Sequence, residues 1–199
     1  VWLFINAVFY SFQIYADFYG YTCIAIGCAL IFGIELSQNF NSPYVALNIT
    51  EFWRRWHISL STWLRDYLYI PLGGNRKGKV RKCINTMIVF LVCGIWHGNG
   101  LSFIVWGLLH GTFSVFDSLV GKKGTGNAAI SCIRRIVTFL AVSFAWIFFR
   151  AESLTLALRY ISRMFTAGMD FTGKIGIFEQ CGGVMVQVYI SLALIVLLQ

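Results

Sequence analysis

Apolar residues run in long blocks along this chain, and the polar interruptions mark out its elements. Residues 1–16 and 21–36 read as two apolar segments separated by Asp17-Phe18-Tyr19-Gly20. A carboxylate at membrane depth costs about 2.5–3.5 kcal/mol on insertion scales, so Asp17 is expected to face protein or water, or to reach the interface from a helix end. Further on, Asn48-Ile49-Thr50-Glu51 has capping-box spacing, with Glu51 reaching back to the Asn48 backbone, and predicts the start of a helix. At 100° per residue, Trp53, Trp56, Leu60, Trp63, Leu64 and Tyr67 fall within an arc of about 100°. Arg54, Arg55, Ser61, Thr62 and Arg65 lie on the other side. One aromatic face and one basic face describe an amphipathic helix lying in the membrane interface, with His57 on the border between them. Pro71 and Gly73-Gly74-Asn75 end it, and a basic turn follows through Arg76, Lys77, Lys79, Arg81 and Lys82. Those charges suit first an ordinary cytoplasmic loop; contact with anionic lipid headgroups or a phosphorylated donor would use the same charges.

From Cys83 to Val120 the chain is apolar except at His97-Gly98-Asn99-Gly100. A straight helix of those 38 residues would reach about 57 Å, nearly twice the hydrocarbon thickness of about 30 Å, so a break is required. Two passes meeting at the glycines return the chain to its starting side. The first arm, 84–96, is short for a full span, which puts the break inside the bilayer, where irregular backbone must line protein or a water-filled cavity. His97 is then expected at that cavity. A glycine-containing loop at 121–127 precedes a span over 130–149 that ends at Arg150, then a partly amphipathic connection over 150–181 and a further span from 182. No internal repeat and no transporter-like pair of broken helices is present.

Composition agrees with the pattern. Of 199 residues, 58% are hydrophobic and only 12% charged, against about 45–50% and about 25% in soluble domains. The mean hydropathy of +0.71 points to an integral membrane protein and away from a soluble or disordered chain or a disulfide-stapled module. The net charge of +8 is not spread as a nucleic-acid surface would be. Residues 51–82 hold eight Lys and Arg against Glu51 and Asp66, and 122–135 adds Lys122, Lys123, Arg134 and Arg135. Basic blocks between apolar stretches are expected on the cytoplasmic side. The chain opens on Val1 inside an apolar run and closes after Leu197 and Leu198, as expected of a piece of a longer polytopic protein. Its six cysteines include no C-x-x-C pair, and most sit in apolar segments, where Cys acts as a small hydrophobe.

The chemistry concentrates on His57, His97 and His110. Imidazole exchanges protons near neutral pH, and apolar surroundings favour its neutral, base-competent form. Trp96-His97-Gly98 stands out because it sits at the break, where small residues leave room for a substrate. One alternative is a metal site in which Cys93 and His97, four apart, are joined by His57 or His110; another is a Cys93 thiolate with His97 as its base. No H-E-x-x-H or paired C-x-x-C supports the metal, and the Val89-Phe90-Leu91-Val92 run around Cys93 disfavours a thiolate. No G-x-S-x-G, phosphate-binding loop or dinucleotide fingerprint is present.

The run from Ile49 through Phe52-Trp53-Arg54-Arg55-Trp56-His57 to Trp63-Leu64-Arg65-Asp66-Tyr67 and Ile70-Pro71-Leu72-Gly73-Gly74-Asn75 resembles the signature of the membrane-bound O-acyltransferase family. Gly94-Ile95-Trp96-His97-Gly98 resembles the segment bearing that family's histidine, and Asp17-Phe18-Tyr19-Gly20-Tyr21 and Asn39-Phe40-Asn41-Ser42-Pro43-Tyr44 fit its bacterial alginate and cell-wall branch. The likeness covers about residues 10–115; the last 80 residues fit in hydropathy only. It implies an all-helical polytopic membrane domain shaped like a funnel, of which residues 1–199 are a part, since about 200 upstream residues and the C-terminal spans are missing. It also implies an O-acyltransferase of the bacterial cytoplasmic membrane that moves an acetyl group from acetyl-CoA or another acyl thioester toward an extracytoplasmic polysaccharide, alginate-like or cell-wall. An exported esterase-like partner, contact with membrane lipid, and no bound cofactor or metal are implied as well. By the same resemblance His97 is the catalytic histidine, a general base toward the attacking hydroxyl. His57 is the second catalytic position, orienting the donor or polarising its carbonyl, and His110 is structural. Trp53, Arg54, Arg55, Trp56, Arg65, Asp66, Trp96 and Asn99 are the candidate substrate contacts. D-alanyl transfer and a non-catalytic membrane scaffold are the alternative readings.

Overall fold

The computed structural model describes residues 2–120 and 127–166, so most of the glycine loop, the connection beyond 166 and the span expected from 182 lie outside the described residues. The regular elements among the described residues are all helical, without a strand. Among the described residues four helices are long and apolar enough to cross a membrane: α1 (Trp2–Ile31), α4 (Gly78–His97), α5 (Leu101–Val120) and α6 (Ala128–Arg150). Between α1 and α4 lie two short helices, α2 (Ile49–Arg55) and α3 (Ile58–Leu64), and a π-helical turn, Arg65–Tyr69. An amphipathic α7 (Leu154–Thr166) follows α6.

α1 corrects the expectation of two segments. It runs unbroken through Asp17-Phe18-Tyr19-Gly20 for 30 residues, about 45 Å. A glycine inside a helix costs only about 1 kcal/mol, and the apolar turns on either side carry the helix through. The real stop is Gly33, which adopts φ +70° while the Ile34 N–H bonds the Ala29 carbonyl at 3.0 Å.

The single amphipathic helix expected from Asn48 is also corrected. Asn48 caps it as expected, accepting the Glu51 N–H at 2.8 Å, but Glu51 Oε2 takes the N–H of Leu47 at 3.0 Å, one residue upstream of the expected partner. The helix then breaks at His57, whose backbone is left-handed (φ 44°, ψ 56°). The break is imposed from outside. The Ile58 N–H bonds the Asn39 carbonyl and the Asn41 N–H bonds the Arg55 carbonyl, both at 2.9 Å, so the docked 39–41 segment bends the chain. The six residues of the expected apolar arc are therefore divided. Trp53, Trp56 and Leu64 are buried in the core and Leu60 packs half-buried against it, whereas Trp63 and Tyr67 are exposed. Trp56 packs on Phe40 at 5.0 Å and on Trp146 of α6 at 5.2 Å between ring centroids. The part of the sequence read as lying in the interface thus places its first half inside the bundle.

The expected hairpin is present, with α4 and α5 meeting at Gly98-Asn99-Gly100. Its first arm is longer than expected. α4 begins at Gly78 and takes in Lys79, Arg81 and Lys82, so its 20 residues reach about 30 Å, and the break is not forced to mid-bilayer. Long basic side chains are good helix formers and extend their charges past an apolar edge, which a hydropathy reading misses. Glycines let the two arms approach closely. A Cβ on Gly94 would lie 2.5 Å from the Phe103 carbonyl oxygen, and one on Gly107 would strike the Phe90 carbonyl oxygen.

α6, close to its expected 130–149, packs antiparallel to α1. Ser11 Oγ donates to Ser143 Oγ at 2.8 Å, and the Arg150 guanidinium lies 5.0 Å from the centre of the Tyr10 ring. Ser102 Oγ donates to the Ala151 carbonyl at 3.2 Å, tying the end of α6 to the start of α5 beside His97. The end of α4, the start of α5 and the end of α6 therefore share one end of the bundle.

Candidate active site

An open cleft of about 590 Å³ runs along α1, walled by its polar and aromatic stripe Tyr10, Gln13, Asp17 and Phe18. Its other wall brings together His57, Trp96, His97 and Phe149, from three separate parts of the chain. Two histidines 40 positions apart thus face one space.

His97 is the last residue of α4. Its Nδ1 lies 2.7 Å from the Cys93 carbonyl oxygen, which can only accept, so Nδ1 carries the proton and Nε2 keeps its lone pair. Edge contacts with Trp96 and Trp106 at 4.9 Å and with Phe149 at 5.4 Å fix the ring plane. The Cys93 Sγ stands 3.8 Å from the same Nδ1 and is buried outside the cleft lining. Among the described residues no group of three His, Cys, Asp or Glu is placed to hold a metal ion.

His57 is oriented from the loop before α2. Asn39 Oδ1 accepts from the backbone N–H of Ser59 at 3.1 Å, from the Ser59 hydroxyl at 2.8 Å and from His57 Nδ1 at 3.3 Å. This again leaves Nε2 of the neutral ring as an acceptor. Phe18 meets the ring edge-on at 4.8 Å. Burial, helped by the nearby His97, pushes His57 down to about 4, so it is neutral at physiological pH.

The remaining sequence candidates are scattered. Trp96, 64% exposed, stands at the cleft. Trp53 and Trp56 are buried in the core, and Trp53 Nε1–H donates to Nδ1 of His110 at 3.2 Å. His110 is fully buried among Phe52, Phe90 and Trp106 and does not reach the cleft. Arg55 is engaged by Glu51 at 2.8 Å and by the Asn41 carbonyl at 3.2 Å. Arg65 and Asp66 bridge one another at 2.7 Å in solvent, and Arg54 and Asn99 are exposed outside the cleft.

Residues 1–161 match the family model of MBOAT, the membrane-bound O-acyltransferase family. The chain belongs to that family. Among curated O-acyltransferase relatives, it is 47% identical to the probable alginate O-acetylase of Pseudomonas fluorescens over 84% of this chain and 33% of that protein. It is 50% identical to the peptidoglycan O-acetyltransferase of Helicobacter pylori over 78% of this chain and 30% of that one. With the teichoic acid D-alanyltransferase of Bacillus subtilis it shares 31% identity over 72% of this chain and 40% of the relative. The chain spans about a third of the length of the curated relatives it matches.

Within this membrane-bound O-acyltransferase fold, sequence reasoning missed Asn39 as the residue that orients His57, and the α1 wall. A signal for that wall existed. Tyr10, Gln13 and Asp17 recur at i, i+3 and i+7, one polar stripe on a helix once 1–36 is read as continuous.

Proposed function

We propose that the protein is a membrane O-acyltransferase that carries an acetyl group from an acyl thioester, acetyl-CoA by preference, toward hydroxyls of an extracytoplasmic polysaccharide of the alginate or cell-wall kind, acting together with an exported partner. The observation that carries this reading is the shared cleft, in which His97 presents an unprotonated Nε2 fixed by the Cys93 carbonyl. In this reading Nε2 takes the proton of the acceptor hydroxyl as its oxygen bonds to the thioester carbonyl carbon. The carbon–sulfur bond then breaks, and the thiolate leaves with the proton held by the imidazolium. The Asn39 hydrogen bond gives His57 a lone pair toward the cleft, which suits orienting a hydroxyl or an N–H of the donor. A neutral ring with that tautomer has no proton with which to polarise a carbonyl, so orientation is the role we assign it. The sequence candidates Trp53, Trp56 and Arg55 serve as the packing that sets the His57 bend, and Trp96 flanks the substrate.

The acetyl assignment draws on the relatives named as acetylases, which share 47% and 50% identity with the chain, against 31% for the D-alanyltransferase. The test compares cells carrying the full-length parent as wild type and as His97→Ala, at equal membrane abundance, for base-labile acetate on purified polysaccharide and wall. Loss of acetate with His97→Ala is expected, by the factor of about 10²–10⁴ that a general base supplies. Unchanged acetate refutes the catalytic assignment. Absence of acetate even in wild type redirects the acyl group to D-alanine.

A further inference from the structure

A second cavity, of about 420 Å³, opens where the end of α6 and the face of α7 meet the first turns of α1. Arg150, Arg159 and Arg163 line it against one carboxylate, Glu152. No ion pair ties any of the three arginines to a carboxylate among the described residues. Asn6, Tyr10 and Tyr160 add polar groups to a wall otherwise made of aliphatic side chains such as Leu3, Ile147 and Leu156. Tyr160 is pinned by donating its hydroxyl to the Leu3 carbonyl at 2.6 Å, so α7 is held against α1 and the arginines are presented from a fixed scaffold.

Tyr10 belongs to both cavities, and Arg150 lies over its ring while the preceding residue, Phe149, lines the histidine cleft. The two spaces are neighbours that share the Tyr10 ring in their lining. Guanidinium forks match the oxygens of carboxylate and phosphate groups, and three of them lining one concavity beside Asn6, Tyr10 and Tyr160 suit an anion attached to something that carries hydroxyls. We propose that this arginine cavity seats the anionic group of the acceptor, a carboxylate or phosphate borne by a sugar unit, so that a hydroxyl of the same chain passes Tyr10 toward His97. This deepens the acyl-transfer reading and rests on it for the direction in which the hydroxyl is presented. A lipid headgroup is the competing occupant. The enclosure by three elements and the tyrosine and asparagine lining favour the glycan, since a headgroup needs only a flat basic face.

The test uses the full-length parent in phosphatidylcholine nanodiscs and follows binding of three oligomers of equal length by saturation-transfer NMR and calorimetry: an oligouronate, a glycerol-phosphate oligomer and a neutral oligosaccharide. Expected is binding of an anionic oligomer to wild type and to His97→Ala alike, and about tenfold weaker binding to Arg159→Gln/Arg163→Gln, two exposed positions where folding is not at stake. Which anionic oligomer binds distinguishes carboxylate from phosphodiester. Equal binding of the neutral oligosaccharide, or full affinity in the arginine variant, overturns the assignment. So does loss of oligomer binding when phosphatidylglycerol replaces part of the lipid, together with weaker phosphatidylglycerol retention in the variant, because the cavity is then a lipid site. The acyl-transfer reading fails separately, if His97→Ala keeps its acetate while these binding results stand.

Discussion

Replacing Gly107 by alanine puts a methyl group against the Phe90 carbonyl oxygen of the facing helix and 3.2 Å from the Gly94 Cα. Neither neighbour is a flexible side chain that can swing away, so α4 and α5 must separate by on the order of 1 Å, at the cost of about 1–3 kcal/mol typical of overpacking. Phe90 lies seven residues, about 10 Å, before His97 on the same helix, so the shift is passed to the histidine. A misplacement of about 1 Å at a reacting group can cost about 10²-fold in rate. Thermal unfolding of the purified full-length parent, with acetyl transfer assayed beside it, is therefore expected to show both a lower midpoint and a rate reduced by about 10- to 100-fold. Gly20→Ala and Gly27→Ala are the matched controls, since an added Cβ at either meets nothing within 4 Å. Both should be neutral or stabilising by up to about 1 kcal/mol through helix propensity. If Gly107→Ala melts and turns over like wild type while the controls behave as stated, the close approach of the two arms does not position His97, and the reasoning fails.

Asn39→Ala removes the acceptor shared by His57 and Ser59; the loss of its hydrogen bonds, about 0.5–1.5 kcal/mol each, should lower stability and activity together, and Asn39→Asp should restore more of both than alanine does. Because His57 is held down at about 4 against 6.5 in the unfolded chain, the native state binds fewer protons between those values, so stability should fall as pH drops from about 6.5 toward 4. His57→Gln should flatten that slope in melts measured across the range, and a slope unchanged by the substitution contradicts the assignment. Cys93→Ala should keep transfer within a few-fold of wild type, because the thiol is buried outside the cleft lining; a loss above about 100-fold in the same acetate assay would instead mark Cys93 as the nucleophile. Tyr44→Phe removes a hydroxyl that donates to the Ser11 carbonyl at 2.5 Å, and should cost about 0.5–1.5 kcal/mol in the same melts.

What the sequence disclosed was what local composition decides. The α6 span is a run of apolar residues with a basic end, and the hairpin break is announced by two glycines around Asn99. His57, His97 and Trp96 were legible as a set through their motifs, and the structure gathers all three at one cleft. The bend at His57 was not legible. Nothing in Trp56-His57-Ile58 requires left-handed backbone, and the bend exists because a segment some 16 residues upstream supplies the competing hydrogen bonds. For the same reason the helical wheel of 53–67 placed Trp53 and Trp56 at a membrane surface, when their rings fill the space between α1, α5 and α6. At Asp17-Gly20 the error ran the other way: polar and small residues look like a turn, but a helix already propagating on both sides passes through them.

The cleft draws its walls from Tyr10 at one extreme and Phe149 at the other, with both histidines contributed in between. During synthesis, the nascent chain therefore has both imidazoles long before it has a pocket to put them in. On the proposed acyl-transfer reading, any ribosomal product cut short ahead of Phe149 has the imidazoles without the enclosure, and offers a thioester neither orientation nor shelter from water. On that reading, activity certifies that the bundle through α6 has been completed.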